Sequence, residues 1–161
     1  MRFRIGLLLA LCWALSLGAA QAAEGLEGLH PGDMARLRET YKGRPMVVHL
    51  WSLTCAPCLE EFPKWIGRIK RHPEVAFVFI NTDGVSHARA LAMRLQAAGL
   101  HPTRSLVYAD DFVERLQYEI APDWYGELPR NELVLASGGS VAKLGVLSDA
   151  DFEKWVRQGK R

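Results

Sequence analysis

The 161-residue sequence predicts an α/β domain, a central mixed sheet with helices on both faces. Three observations predict it. Two short apolar runs, residues 46–52 and 75–80, read as strands covered on both faces, and a helical pattern follows each. Ser137-Gly138-Gly139 then separates two further strand patterns as a hairpin turn does. A last helical pattern closes the chain, and no repeat or low-complexity linker divides it into further domains.

Taken in order, residues 24–32 are Gly-rich and without a period, a loose lead-in. Asp33 caps a short helix over 34–41, with Met34, Leu37 and Tyr41 on one face. Lys42-Gly43-Arg44-Pro45 is a turn. Residues 46–52 form the central strand, apolar except for His49. Cys55 opens a helix to about residue 70; Pro57 suits its first turn, Pro63 kinks it, and His72-Pro73 ends it. The strand over 75–80 closes at Asn81-Thr82-Asp83-Gly84. Ser86 caps a helix to about residue 98, stopped by Gly99, with Ala90, Leu91, Met93, Leu95 and Ala98 as its apolar side. A short strand covers 105–108. Asp110 or Asp111 caps a helix over 112–118, with Phe112, Val113 and Leu116 inward. Tyr125-Gly126-Glu127-Leu128-Pro129 is a loop, and strands over 132–136 and 140–144 form the hairpin. Ser148 or Asp149 caps the last helix, 150–158, with Phe152, Trp155 and Val156 inward. Lys160-Arg161 is a tail.

The N-terminus carries a secretory signal pattern. Arg2 and Arg4 precede an apolar stretch over 5–17, and Ala20-Gln21-Ala22 supplies small residues for cleavage after Ala22, or after Ala23. The chain is thus read as a signal peptide over 1–22 and one domain over 23–161, exported to the periplasm or beyond. An uncleaved anchor is the alternative, but the apolar stretch falls short of the roughly 20 residues that span a bilayer. Cleaved, the domain has no stable membrane insertion. Cys12 lies inside this stretch after a large Leu11, where a lipoprotein signal has a small residue. Arg2 and Arg4 account for the formal charge of +2, so the remainder is neutral. Nucleic acid is excluded as a partner, because phosphate binding needs a basic excess or patch. The run Arg68-Ile69-Lys70-Arg71 reads as a solvated helix end.

Of three cysteines, Cys55 and Cys58 remain once Cys12 is removed. A domain of this size builds a sufficient core without a staple, and a bridge closing so short a loop adds little stability. Chemistry explains the pair better: strand, Cys-x-x-Cys, helix is the layout of a dithiol redox site. Zinc is the rival, but it needs two more ligands, and no second Cys-x-x-Cys or paired His motif follows.

These residues resemble a known family. Val48-His49-Leu50-Trp51 ahead of Cys55-Ala56-Pro57-Cys58, then Glu60-Glu61-Phe62-Pro63, Phe79-Ile80-Asn81-Thr82-Asp83, Tyr125-Gly126-Glu127-Leu128-Pro129 and the hairpin at Gly138-Gly139 are similar to thioredoxin-like proteins, and more narrowly to exported thiol-disulfide oxidoreductases of the TlpA/ResA type. The resemblance covers nearly all of 23–161. It implies a thioredoxin-like fold, no cofactor beyond a redox-active Cys55–Cys58 disulfide, Cys55 as attacking thiol and Cys58 as resolving thiol. A helix N-terminus favours a thiolate at Cys55. Pro129 resembles the family's cis-proline, which faces the disulfide, and Leu128 would offer its backbone to an extended substrate. Glu61 matches an acid that moves protons to and from the buried thiol; a solvated helix acid is the bland alternative, which suits Glu60 better. Two positions depart. His49 stands where thioredoxins have Asp and exported relatives often Asn; it is either a proton relay tuning the thiols or a satisfied core histidine. Thr54 replaces the usual Trp on the substrate rim. Trp51 is core.

The leading function is an exported thiol-disulfide oxidoreductase that reduces disulfides of exported proteins, such as apocytochrome c or metal-site assembly proteins. Ala56-Pro57 resembles the Gly-Pro of reducing thioredoxins more than the Pro-His of strong oxidants. Protein thiols and disulfides are then the substrates, and an oxidising compartment requires an electron donor, a membrane thiol carrier. The alternatives are a disulfide-introducing oxidase and a non-enzymatic binding module or metal chaperone.

Overall fold

The structure is a computed structural model and describes residues 26–101 and 103–159. The signal segment 1–22 and the tail Lys160-Arg161 lie outside the described residues. Six strands, β1 (Leu26–Leu29), β2 (Met46–Trp51), β3 (Ala76–Asn81), β4 (Arg104–Tyr108), β5 (Arg130–Val134) and β6 (Ser140–Leu144), form one sheet in the order β1-β4-β3-β2-β5-β6. The first four run parallel; β5 pairs antiparallel with β2 and β6 with β5. Five helices accompany them: α1 (Asp33–Thr40), α2 (Ala56–Arg71), α3 (Ala88–Ala97), α4 (Val113–Ile120) and α5 (Asp149–Gln158). The sheet is mixed, with helices on both faces.

Strand alternation sorts two cores. Val47 and Trp51 of β2 join Phe62 and Trp65 of α2, Leu91 and Leu95 of α3, and Phe152 and Trp155 of α5. Met46, Val48 and Leu50 point the other way, onto Met34 and Leu37 of α1 and Leu116 and Ile120 of α4. Each large side chain fully removed from water there stabilises the fold by about 1.5–3 kcal/mol. Because β2 and β3 are covered on both sides, every one of their residues is buried.

Several expectations are corrected. Residues 26–29 are strand, not loose lead-in: β1 adds to the free edge of β4, Leu26 opposite Ser105, and only Leu29 is buried. Gly32, at φ 87°, precedes α1, and Asp33 lies inside it, accepting from the His30 N–H at 2.6 Å. Ser86 caps nothing; a 3₁₀ turn, Val85–His87, leads into α3. On α3 only Leu91 and Leu95, one turn apart, are buried, and Met93 faces water. Phe112 precedes α4 and is 72% exposed, with Val113 also outward, because the α4 face that meets the sheet is Leu116 and Ile120. The strand of the hairpin begins two residues earlier than its apolar pattern, at Arg130. Helix α2 continues through Pro63 for 16 residues. Ser148 caps α5, its Oγ accepting from the Asp151 N–H.

Candidate active site

The parallel strands β2, β3 and β4 all end at one edge of the sheet, and the loop after β2 carries the cysteines there. Cys55 is the N-cap of α2 and Cys58 lies in its first turn, with Pro57 between them where no N–H is needed. The two sulfurs form a disulfide. Cys55 is half-buried and Cys58 fully buried. The Cys58 N–H donates to Cys55 Sγ at 3.2 Å, so one amide of the first helical turn is directed at the outer sulfur. The preceding loop is tied down from β3: the Leu53 N–H donates to Asp83 Oδ2 at 2.7 Å, and Asn81 Nδ2 donates to the same oxygen at 2.9 Å.

Pro129 enters β5 through a cis Leu128–Pro129 bond. In the antiparallel register Leu50 pairs with Arg130, so the β2–β5 ladder stops one residue after Pro129 in the chain. The Leu128 backbone therefore lies beyond the ladder, at the sheet edge where Cys55 sits, and its side chain packs against the same core cluster as Cys55. Thr54 is exposed, its Oγ1 3.1 Å from Ser52 Oγ.

His49 lies on the α2 side of β2, its ring against Phe62, Trp65 and Phe79. Its Nδ1 is 2.8 Å from Asn131 Oδ1. Asn131 Nδ2 donates to the Gly145 carbonyl, which fixes the amide with its oxygen towards the ring. The network therefore assigns the proton to Nδ1 and leaves Nε2 a bare lone pair, with no hydrogen-bond partner among the described residues. Burial lowers the imidazole pKa to about 4; the Asn131 bond opposes this and the charge of Arg68 adds to it. The ring is neutral at pH 7.

Glu61 follows Cys58 by three residues on α2 and is buried, which removes the solvated-acid alternative; Glu60 is the exposed one. Glu61 Oε1 accepts from Arg68 Nη1 and from the Leu147 N–H, both at 3.0 Å. Its Oε2 has no hydrogen-bond partner among the described residues. Burial raises the Glu61 pKa above its ordinary value, opposed by Arg68, the Leu147 N–H and Lys64. Arg68 itself is wholly buried, not part of a solvated helix end. Its Nη2 also donates to the Leu147 carbonyl at 2.6 Å and to Asp149 Oδ1 at 2.8 Å, and its guanidinium lies 4.4 Å from the Trp65 ring centroid.

No family model matches the chain, and no curated protein sequence matches it. Solved structures do. A secreted Mycobacterium tuberculosis disulfide oxidoreductase homologous to E. coli DsbE is similar over 74% of this chain and 85% of its own, with a TM-score of 0.60 and 21% identity. A thioredoxin-family thiol:disulfide interchange protein from Chlorobium tepidum matches over 76% and 83%, with a TM-score of 0.63 and 20% identity. StoA from Bacillus subtilis matches over 71% and 84%, with a TM-score of 0.56 and 21% identity. The fold is thioredoxin-like. At these identities the likeness is one of fold.

In this thioredoxin-like domain the sequence-derived candidates divide into two groups. Cys55, Thr54, Leu128 and Pro129 lie at the strand ends, while Cys58 and His49 lie beneath, in the core between β2 and α2, and Glu61 is buried against Arg68 and the Leu147 amide. Three polar residues that hold the site were missed. Arg68 follows Glu61 by seven residues and Trp65 by three, the helical spacing that would have placed it on the buried stripe they form with Cys58. Asn131 carries no such signal, because its partner His49 comes from another strand; Asp83 stands in a motif of the resemblance, but its bond to the Leu53 amide joins loops 30 residues apart in the chain. Among the described residues, no group of three or more His, Cys, Asp or Glu is arranged to hold a metal ion, and no helix is long and apolar enough to cross a membrane.

Proposed function

We propose that the chain is an exported thiol-disulfide oxidoreductase working in the reducing direction. The observation that carries this is the Cys55–Cys58 disulfide at the start of α2, one sulfur half-exposed under a backbone amide and the other buried. In the dithiol form the Cys55 thiolate attacks a substrate disulfide. One substrate sulfur leaves as thiolate and the other stays bonded to Cys55. Cys58 then loses its proton and attacks Cys55 Sγ, which closes the protein disulfide and releases the second substrate sulfur. Two electrons pass from protein to substrate. Glu61, one helical turn from Cys58 and with one oxygen unpaired among the described residues, takes the proton of the resolving thiol, and neutral His49 on β2 tunes the same step. Leu128 presents its free backbone edge to an extended substrate segment at Pro129, and Thr54 lines the rim.

Export is supported by the signal pattern over 1–22 and by the secreted neighbour from Mycobacterium tuberculosis. The substrates are protein disulfides in that compartment, apocytochrome c cysteines or metal-site assembly proteins among them, and a membrane thiol carrier returns the protein to its dithiol form. The deciding experiment is the reduction of a protein disulfide by the reduced chain, alongside its equilibrium with glutathione. Cys55→Ser abolishes reduction, and Cys58→Ser accumulates a mixed disulfide with substrate. A potential well below about −200 mV fits a reductase, one near about −120 mV an oxidase. Full biological activity in Cys55→Ser would reject both and leave a binding module.

A further inference from the structure

Arg68 belongs to neither the dithiol nor the substrate rim, yet it is a wholly buried cation held from several sides. It is held by the Glu61 carboxylate, the Leu147 carbonyl and Asp149, whose side chain is 61% exposed at the start of α5. The rings of Trp65 and Phe152 flank its guanidinium at 4.4 and 5.2 Å. So anchored, Arg68 takes only Oε1 of Glu61, and the Leu147 N–H takes that same oxygen. The other oxygen is left unpaired in the interior, one helical turn from Cys58.

We propose that Arg68 is a positioning residue for the proton step at Cys58: it keeps Glu61 ionised inside the core and fixes which of its oxygens is free to take the thiol proton. The inference rests on the oxidoreductase reading and deepens it. Without a cation, a buried carboxylate protonates, because burial disfavours its charged form; a protonated Glu61 cannot accept a proton from Cys58. With Arg68 in place the step balances: the Cys58 thiol becomes a thiolate, the Glu61 carboxylate becomes an acid, and the thiolate then displaces the substrate sulfur from Cys55. The other charged or titratable groups facing the pair are Lys64 on α2, Asp149 at α5 and His49 on β2, the last neutral. Asp149 is the one anion among them. It draws on the same guanidinium, through Nε and Nη2, and so sets how much of its charge Glu61 receives.

The test uses the reduced protein over residues 23–161, which lacks Cys12 so that Cys55 and Cys58 are its two thiols, and 5,5′-dithiobis(2-nitrobenzoate). Cys55 attacks the reagent and releases one thionitrobenzoate; attack by Cys58 on the resulting mixed disulfide releases a second. The pH midpoint of the second phase reads the Cys58 proton step, and the ¹³C shift of the Glu61 carboxyl reads Glu61 directly. Arg68→Met is expected to move both midpoints up by about 1–3 pH units, the range for a lost neighbouring opposite charge. Asp149→Asn, a surface change that keeps the fold if Arg68→Met does not, is expected to move both down. Unmoved midpoints in Asp149→Asn, or a Glu61 midpoint that moves while the second phase does not, would overturn the role of Arg68 and leave the oxidoreductase reading standing. A wild-type protein that releases only one thionitrobenzoate would overturn that reading, and this proposal with it.

Discussion

His49 and Asn131 stand directly opposite each other across the β2–β5 ladder, and their side chains meet in the core at 2.8 Å. One hydrogen bond thus joins the strand that leads to Cys55 with the strand that follows Pro129. The imidazole stays neutral in spite of that bond, because burial disfavours its charged form and the charge of Arg68 repels a second cation. The consequence for stability has a definite sign. His49 has an ordinary pKa of 6.5 when unfolded and one lowered to about 4 in the fold. The unfolded chain therefore binds the proton first on acidification. The contribution of His49 to stability is complete above pH 6.5 and is lost as the pH falls to about 4, at up to about 1.4 kcal/mol per pH unit. Urea unfolding of wild type and His49→Gln from pH 7 to 4 checks this. The wild-type curve should fall more steeply across that window; parallel curves would show that His49 is not held neutral.

The cysteines are expected to differ in reactivity in the order of their burial. Cys55 caps α2 and receives the Cys58 N–H, whereas Cys58 is fully buried. Alkylation of the reduced protein by iodoacetamide, read by peptide mass, should modify Cys55 at least about tenfold faster than Cys58. The rate midpoint for Cys55 should fall below the free thiol's value of about 8.5. Earlier modification of Cys58 would reverse the assignment of attacking and resolving thiols.

The buried pair of Glu61 and Arg68 should behave as a unit. Removing one member strands the other in the core, at a cost of about 3–5 kcal/mol, while replacing both with apolar residues of similar size is far cheaper. A double-mutant cycle of Glu61→Leu, Arg68→Met and their combination, followed by denaturant unfolding, measures this. The double variant should be more stable than Arg68→Met alone. Additive losses would mean that the two side chains do not share one interaction.

Much of this architecture is written in local patterns. Residues 46–52 and 75–80 are apolar because both sheet faces are covered, and Cys55 and Cys58 announce themselves by spacing. The departures have physical reasons. β1 is a four-residue edge strand with Glu27 and Gly28 outward, so it has no apolar run to betray it. Arg130, Asn131 and Glu132 are polar inside a wholly buried strand because Arg130 and Glu132 pair at 2.7 Å and Asn131 meets His49. Such satisfaction, within β5 and across to β2, is invisible to periodicity. Phe112 and Met93 look like core and face water, since hydrophobicity alone does not say which side of a helix meets the sheet. The role of Arg68 was legible in principle, as the polar end of the stripe Cys58, Glu61, Phe62, Trp65, but its lysine and arginine neighbours masked it.

Asp83 offers a test of how the cysteine loop is held. Its carboxylate accepts from the Leu53 N–H, two residues before Cys55, and from Asn81 Nδ2, and its own N–H donates to Asn81 Oδ1. Among the described residues, this Asx-type clasp at the end of β3 is the one side-chain bond that reaches across to the Leu53 amide. Hydrogen bonds to a charged group contribute about 1.5–3 kcal/mol, and a donor left without its partner loses most of that. In Asp83→Ala the β2 and β3 strands keep their register, because that is set by backbone pairing from Met46–Ala76 to Trp51–Asn81. The loss should therefore be local. Amide exchange at Leu53 should accelerate by about 10–100-fold, the same energy expressed as a local opening constant, with little change in the middle of β2. Asp83→Asn, which keeps an acceptor of lower charge, should lie between. If Leu53 exchange is unchanged in Asp83→Ala, the loop ahead of Cys55 is held by its own turn, the Cys55 N–H to Ser52 carbonyl bond at 3.3 Å, and the clasp from β3 is dispensable.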